Sequence, residues 1–305
     1  MQLGIDPKVD YAFKHLFGRD ATRPLLIDVL DSVLEPAPGH AIRDVELLNP
    51  FNPKEALDDK LSMLDIKARD QAGRLFNVEM QMLAFRHYEK RILYYGTRLY
   101  QQQLHEGQDY LELKPTLSVS FLDHVFFPQA PEYHLRFQLL ETARHFPFTA
   151  DLEFHVLELP KFQKTVAELT SSLDVWLYFL RNAETMDPEA LPATLDRPLV
   201  RRACEELKML SQTDLERERY EARRKWQLDY NTGMKVARLE GREEGRQEGR
   251  REGEQIGRIQ GEQIGRIHLC ERLLRRPETP VEQLAALSLE DLTHRADELQ
   301  ALLQR

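Results

Sequence analysis

Two stretches whose side chains alternate with a period of two, residues 61–69 and 74–82, stand on either side of Gln71, Ala72 and Gly73. No other feature of the chain restricts its folding as tightly. In the first stretch Leu64, Ile66 and Ala68 share one side, and Asp65, Lys67 and Arg69 the other. In the second, Phe76, Val78, Met80 and Met82 oppose Asn77, Glu79 and Gln81. A period of two predicts a half-buried strand, and a short loop with Gly73 in the left-handed position joins two such strands into a hairpin. If Asp70 and Arg74 flank the loop, facing residues have numbers that sum to 144, so Asp65 faces Glu79 across the hairpin. Facing acids repel each other by roughly a few tenths of a kcal/mol or more. A cation between them removes that objection; the plainer reading is a solvated polar face.

The flanking sequence alternates helical and strand patterns. Asp6-Pro7 predicts a helix start, with Val9, Phe13, Leu16 and Phe17 on one side, and residues 23–34 a second helix that ends before Pro36 and Pro38. Residues 42–48 read as a strand, and Asn49-Pro50 with Asn52-Pro53 as loop. From 84 to 106 the period becomes helical, with Phe85, Tyr88, Ile92, Tyr95 and Leu99 as a packed stripe and His87, Arg91, Tyr94, Arg98 and Gln101 beside it. Residues 117–122 form a compact apolar strand, and 133–140 and 152–159 two more. This order predicts an α/β domain over residues 1–160, followed by a helical region over 161–240, in which residues 213–237 form one charged helix.

Glycine then falls at 241, 245, 249, 253, 257, 261 and 265, a strict spacing of four, and Gly-Glu-Gln-Ile-Gly-Arg-Ile occurs at both 253–259 and 261–267. Seven glycines cost a helix roughly 7 kcal/mol relative to alanine. Residues 241–266 are therefore either a charged linker or a helix whose glycine stripe admits a second helix at close range, as small-residue stripes do. The kept register favours self-association. Residues 267–305 read as a helical hairpin around Pro277 and Pro280, with Ser288 as a cap.

Composition excludes several functions. The net charge is −9 overall and −7 over residues 1–160, which argues against a non-specific nucleic-acid coat, since such binding comes from phosphate neutralisation. No apolar run approaches the ~18 residues of a membrane helix, and the N-terminus lacks a signal-peptide pattern. Two cysteines, Cys204 and Cys270, make no disulfide framework, so a cytoplasmic location is expected. No histidine or cysteine pair has zinc-site spacing. Neither a phosphate-cradling Gly-x-x-x-x-Gly-Lys loop nor a Gly-x-Ser-x-Gly elbow is present.

Four sets of residues also carry a resemblance: Asp10, Phe13, Lys14, Leu16, Phe17 and Gly18; Lys60, Asp65 and Lys67; Asn77, Glu79 and Gln81; and Tyr88, Arg91, Tyr94 and Tyr95. Together they resemble the recombination-promoting nuclease (Rpn)/putative transposase family of the PD-(D/E)XK nuclease superfamily. Residues 220–230 and the Glu-Gly repeats that follow are similar to that family's C-terminal part. The resemblance implies a restriction-endonuclease-like mixed sheet flanked by helices and a metal-dependent DNA endonuclease, in service of recombination or acting on foreign DNA. It makes Asp65 and Glu79 metal ligands, with the Met80 carbonyl completing the oxygen shell. Hard oxygen ligands suit Mg²⁺, Mn²⁺ or Ca²⁺.

Asp10 is a possible further acid. Gln81 stands where the superfamily motif has lysine, and glutamine brings no charge. Lys67 either supplies that charge or forms a surface ion pair with Asp65. Arg91 and Arg98 would contact DNA phosphates, with Tyr94 positioning one; the alternative is a solvated helix face. Arg223, Arg224 and Lys225 sit among Glu216, Glu218 and Glu221 as an exposed, ion-laced helix. The rival to the enzyme is a catalytically idle nuclease fold that assembles through residues 241–265.

Overall fold

The structure of the protein, a computed structural model, describes residues 2–49 and 66–304. Its centre is a six-stranded mixed sheet in the order β1-β2-β3-β4-β6-β5. The strands are β1 (Val45–Leu47), β2 (Ile66–Asp70), β3 (Leu75–Gln81), β4 (Thr116–Leu122), β5 (His134–Gln138) and β6 (Leu152–Glu158). β1, β2 and β3 are antiparallel neighbours, β3, β4 and β6 run parallel, and β5 closes one edge antiparallel to β6.

The hairpin forms in the expected register. Ile66 pairs with Val78, Lys67 with Asn77 and Ala68 with Phe76. Gly73 has φ of 84°, and the Asp70 carboxylate organises the loop by accepting from the amides of Ala72 and Arg74, both at 2.9 Å, and from Arg74 Nε at 2.7 Å. Asp65 and the rest of residues 50–65 lie outside the described residues.

Helices cover both faces of the sheet. α1 (Asp10–Phe17), α2 (Arg23–Leu34) and α4 (Ser172–Asn182) pack on the face of Phe76, Val78 and Phe121; the rings of Phe13 and Phe121 are 5.9 Å apart. α1 starts later than expected. Val9 is its N-cap, and the Asp6 side chain instead accepts from the Lys8 amide in the turn ahead. α4 is locked at its start by Asp174, which accepts from Lys164 Nζ and from the amides of Thr170 and Ser171.

α3 (Tyr88–Gln101) lies across the other face. The half-buried reading of the second strand is thereby corrected: β3 is buried throughout, with Asn77 3%, Glu79 4% and Gln81 4% exposed. β4 is corrected as well. It is not uniformly apolar, because Ser118 and Ser120 alternate with Leu117, Val119 and Phe121 and sit beside Asn77 and Glu79.

Gly96 permits this close cover. A Cβ there would lie 2.7 Å from Cε1 of Phe154 and 3.1 Å from Oγ of Ser118. Gly96→Ala is therefore expected to lower stability by about 1–2 kcal/mol, overpacking outweighing the gain in helix propensity. A thermal melt of the variant checks this, and a raised midpoint would contradict it.

Downstream come α5 (Pro198–Gln212) and α6 (Asp214–Leu273), the latter 60 residues long and helical through the glycine tract. Contacts divide the chain into two compact units, residues 1–230 and 231–305. In the second unit the end of α6 packs with α7 (Val281–Ala285) and α8 (Leu289–Leu303) around Ile267, Leu284, Leu292 and Ala296. Ser288 caps α8, accepting from the Asp291 amide at 3.1 Å.

Candidate active site

A buried polar row lies under α3 in the first unit. Glu79 lies mid-strand, and parallel pairing puts Ser120 directly beside it. Ser120 Oγ donates to Glu79 Oε1 at 3.1 Å, and the Tyr88 hydroxyl donates to the same oxygen at 2.6 Å. Among the described residues nothing donates to Oε2. Burial, reinforced by the Glu79 charge, pushes the Tyr88 hydroxyl well above its ordinary value. Tyr88 therefore stays protonated and remains a donor.

The rest of the row is polar but less well satisfied. Asn77 Oδ1 and Ser118 Oγ are buried without a hydrogen-bond partner. A buried polar row of this kind costs stability that an apolar strand face would not, and such local violations concentrate at functional sites. Gln81 turns away from Glu79 toward the end of its strand, its Nε2 donating to the Leu83 carbonyl at 3.2 Å. Lys67 shares the Glu79 face of the hairpin through its pairing with Asn77, and its side chain makes no ion pair with another described residue. Met80 points its side chain to the opposite face.

Asp10 stands at the start of α1. Arg223 of α6 holds its carboxylate at 3.2 Å, and burial raises the Asp10 carboxyl against the pull of Arg223 and Lys14. The reading of Arg223–Lys225 as a solvated, locally neutralised cluster is thus corrected for Arg223 and Arg224, while Lys225 is exposed as expected. Arg223 is largely buried and bound to α1, with Nε unpartnered, and Arg224 pairs with Glu184 at 2.9 Å. Their partners lie 213 and 40 residues away, beyond the reach of any local pattern. Close by, Lys8 pairs with Asp123 at 3.2 Å, and the Asp123 amide donates to the Gln81 carbonyl. The start of α1 and the ends of β3 and β4 therefore adjoin.

On α3 the three expected phosphate contacts separate. Arg91 is half-buried, 5.0 Å from the Tyr95 ring centre, and its charge acts on the Tyr88 hydroxyl. Tyr94 and Arg98 are exposed. His87 is left-handed, with φ of 60°, and precedes the helix rather than belonging to its stripe. Among the described residues no three acidic, histidine or cysteine side chains converge to hold a metal.

Tyr88 and Ser120 are the residues that sequence reasoning under-read. Tyr88 stood in the apolar stripe, and the signal for Ser120 was the alternation within residues 117–121.

A central mixed sheet with helices on both faces and a buried acid on its middle strand is an arrangement suited to PD-(D/E)XK nucleases. Residues 7–237 match the family model for PD-(D/E)XK nuclease family transposase, and the chain belongs to that family. Neither a curated protein nor a solved structure matches it.

Proposed function

We propose that the protein is a divalent-metal-dependent DNA endonuclease whose chemistry centres on Glu79. The observation that carries this reading is a buried carboxylate with one oxygen held by two hydroxyls and the other unengaged by any described residue, in a chain of a nuclease family. That free oxygen is a hard donor and fits Mg²⁺, Mn²⁺ or Ca²⁺ better than a soft metal. Glu79, Asp65 and the Met80 carbonyl would hold the ion, and Asp10 at the start of α1 would be a further acid. A cation so bound lowers the pKa of a water and offsets charge on the phosphate.

The other residues then have defined tasks. Lys67, on the Glu79 face and without a described ion partner, supplies the positive charge that Gln81 lacks. The Gln81 amide orients a water or a phosphate oxygen. The exposed Tyr94 and Arg98 and the half-buried Arg91 form the phosphate-contacting set of α3, Arg91 and Arg98 by charge-assisted hydrogen bonds and Tyr94 by positioning a phosphate. Residues 1–160 carry the chemistry, and the helical region after them buttresses it through Arg223. The reaction serves recombination or the breakdown of foreign DNA in the cytoplasm.

The test is conversion of supercoiled plasmid by the full chain with Mg²⁺, Mn²⁺ or Ca²⁺, beside Asp65→Ala and Glu79→Ala. Cleavage that needs the ion and both acids is expected; nicking no better than by the variants would overturn the enzyme reading.

A second reading, assembly through the repeat, rests on the glycines themselves. At all seven positions a Cβ would meet nothing within 4 Å, so the chain's own packing gives no reason for them. Exposed pairs such as Arg250–Glu254 and Arg258–Glu262 return only about 0.3–0.5 kcal/mol each. Helix pairing between copies is what the kept register suits. Leucine at 249 and 253 together is expected to reduce the mass measured by light scattering to that of the monomer while leaving the helix intact. An unchanged mass would end the pairing idea.

A further inference from the structure

The Glu79 carboxylate is held asymmetrically, and three features make that asymmetry rigid. Ser120 is its direct neighbour in the β3–β4 register, so strand pairing holds its Cβ beside Glu79 with the Oγ within reach of Oε1. Tyr88 is the first residue of α3, entered through the left-handed His87. Its ring is fully buried and edge-on to Phe126 at 5.8 Å. The Tyr88 hydroxyl cannot swing away without unpacking the helix start. Both converge on Oε1, at 2.6 and 3.1 Å.

Two donors on one oxygen occupy the lone pairs that a chelating carboxylate would need. They also fix the side-chain torsion that aims the other oxygen. We infer that Tyr88 and Ser120 are positioning residues that set Glu79 to take a divalent cation through Oε2 alone, as a one-oxygen ligand. The inference rests on the nuclease reading and deepens it. Outer hydrogen bonds of this kind orient a ligand that would otherwise sample several rotamers, and their loss weakens metal affinity by about 10–100-fold.

The experiment is calorimetric titration of Mn²⁺ into the full-length protein, the Glu79→Gln, Tyr88→Phe and Ser120→Ala variants, and Val29→Ala as a packing control. Wild type is expected to bind and Glu79→Gln to lose the site. Tyr88→Phe, which keeps the ring, is expected to bind about 10–100-fold more weakly, and Ser120→Ala to fall between it and wild type. Val29→Ala, in the core on α2 and away from Tyr88, should melt earlier with its Mn²⁺ affinity unchanged, which separates positioning from packing. Unchanged affinity in Tyr88→Phe would overturn the inference and leave the nuclease reading standing. Tighter binding would do the same, by showing that the hydroxyl competes with the ion. If wild type binds no Mn²⁺ through Glu79, both fall together.

Discussion

Glu79→Ala is expected to reduce metal-dependent DNA cleavage by about a thousandfold or more, because a ligand that fixes the cation is worth several kcal/mol of transition-state stabilisation. The same substitution is not expected to unfold the protein. Glu79 is 4% exposed, and its carboxylate accepts two hydroxyl hydrogen bonds and no ion pair from a described residue. Removing water from a charge costs several kcal/mol, and two neutral donors return only about 1 kcal/mol each. Glu79→Gln keeps an acceptor for Tyr88 and Ser120 without the charge. In metal-free buffer it should melt at or above the wild-type temperature while failing to cut. Activity and stability moving in opposite directions is the mark of a residue retained for chemistry. A joint fall of both would mean that Glu79 serves the fold.

Asp174→Ala is expected to have the opposite profile, a large loss of stability without direct effect on the chemistry. Asp174 is fully buried. It accepts from Lys164 Nζ at 2.8 and 2.9 Å, from the Thr170 and Ser171 amides at 2.9 and 3.1 Å, and from the Tyr133 hydroxyl at 3.1 Å. Alanine would strand the Thr170 and Ser171 amides and the Tyr133 hydroxyl, leave the partly exposed Lys164 to water, and unlock the start of α4, whose Trp176 and Phe179 belong to the main core. A cost of roughly 3–5 kcal/mol follows for breaking such a network from one side. Denaturant titration measures it, and a loss below ~1 kcal/mol would contradict the account.

The same carboxylate gives stability a pH dependence of known sign. Burial alone would raise its pKa, but Lys164 and the loop amides hold it well below the ordinary carboxylate range. A depressed carboxylate stabilises the fold above its unfolded value, near 3.9, and the contribution is lost as pH falls below that value. The acid limb of wild-type stability should flatten in Asp174→Ala.

These two acids show how much could be read before the coordinates. The hairpin register followed from a loop of known length and an unbroken alternation, and it holds from Ile66↔Val78 to Arg69↔Leu75. α2 ends where Pro36 and Pro38 require, at Leu34. What failed was any statement about cover. Asn77, Glu79 and Gln81 alternate as a solvated face would, and only a helix that starts at Tyr88 and passes over them at Gly96 turns that face into an interior. Local periodicity reports which residues share a side, not what lies against that side. The Asp10–Arg223 pair was hidden for the same reason, since Arg223 has nearer acids on its own helix and ignores them. Tyr88 was visible as a packed residue but not as a donor, because its hydroxyl has meaning only beside a carboxylate on another element.

The most direct measurement is anomalous diffraction from crystals of the full chain grown with Mn²⁺. A single peak within about 2.0–2.5 Å of Glu79 Oε2 and of an Asp65 oxygen, with Oε1 still bound to Tyr88 and Ser120, is the expected result. Mn²⁺ bound elsewhere, or the two carboxylates too far apart to share one ion, would contradict it.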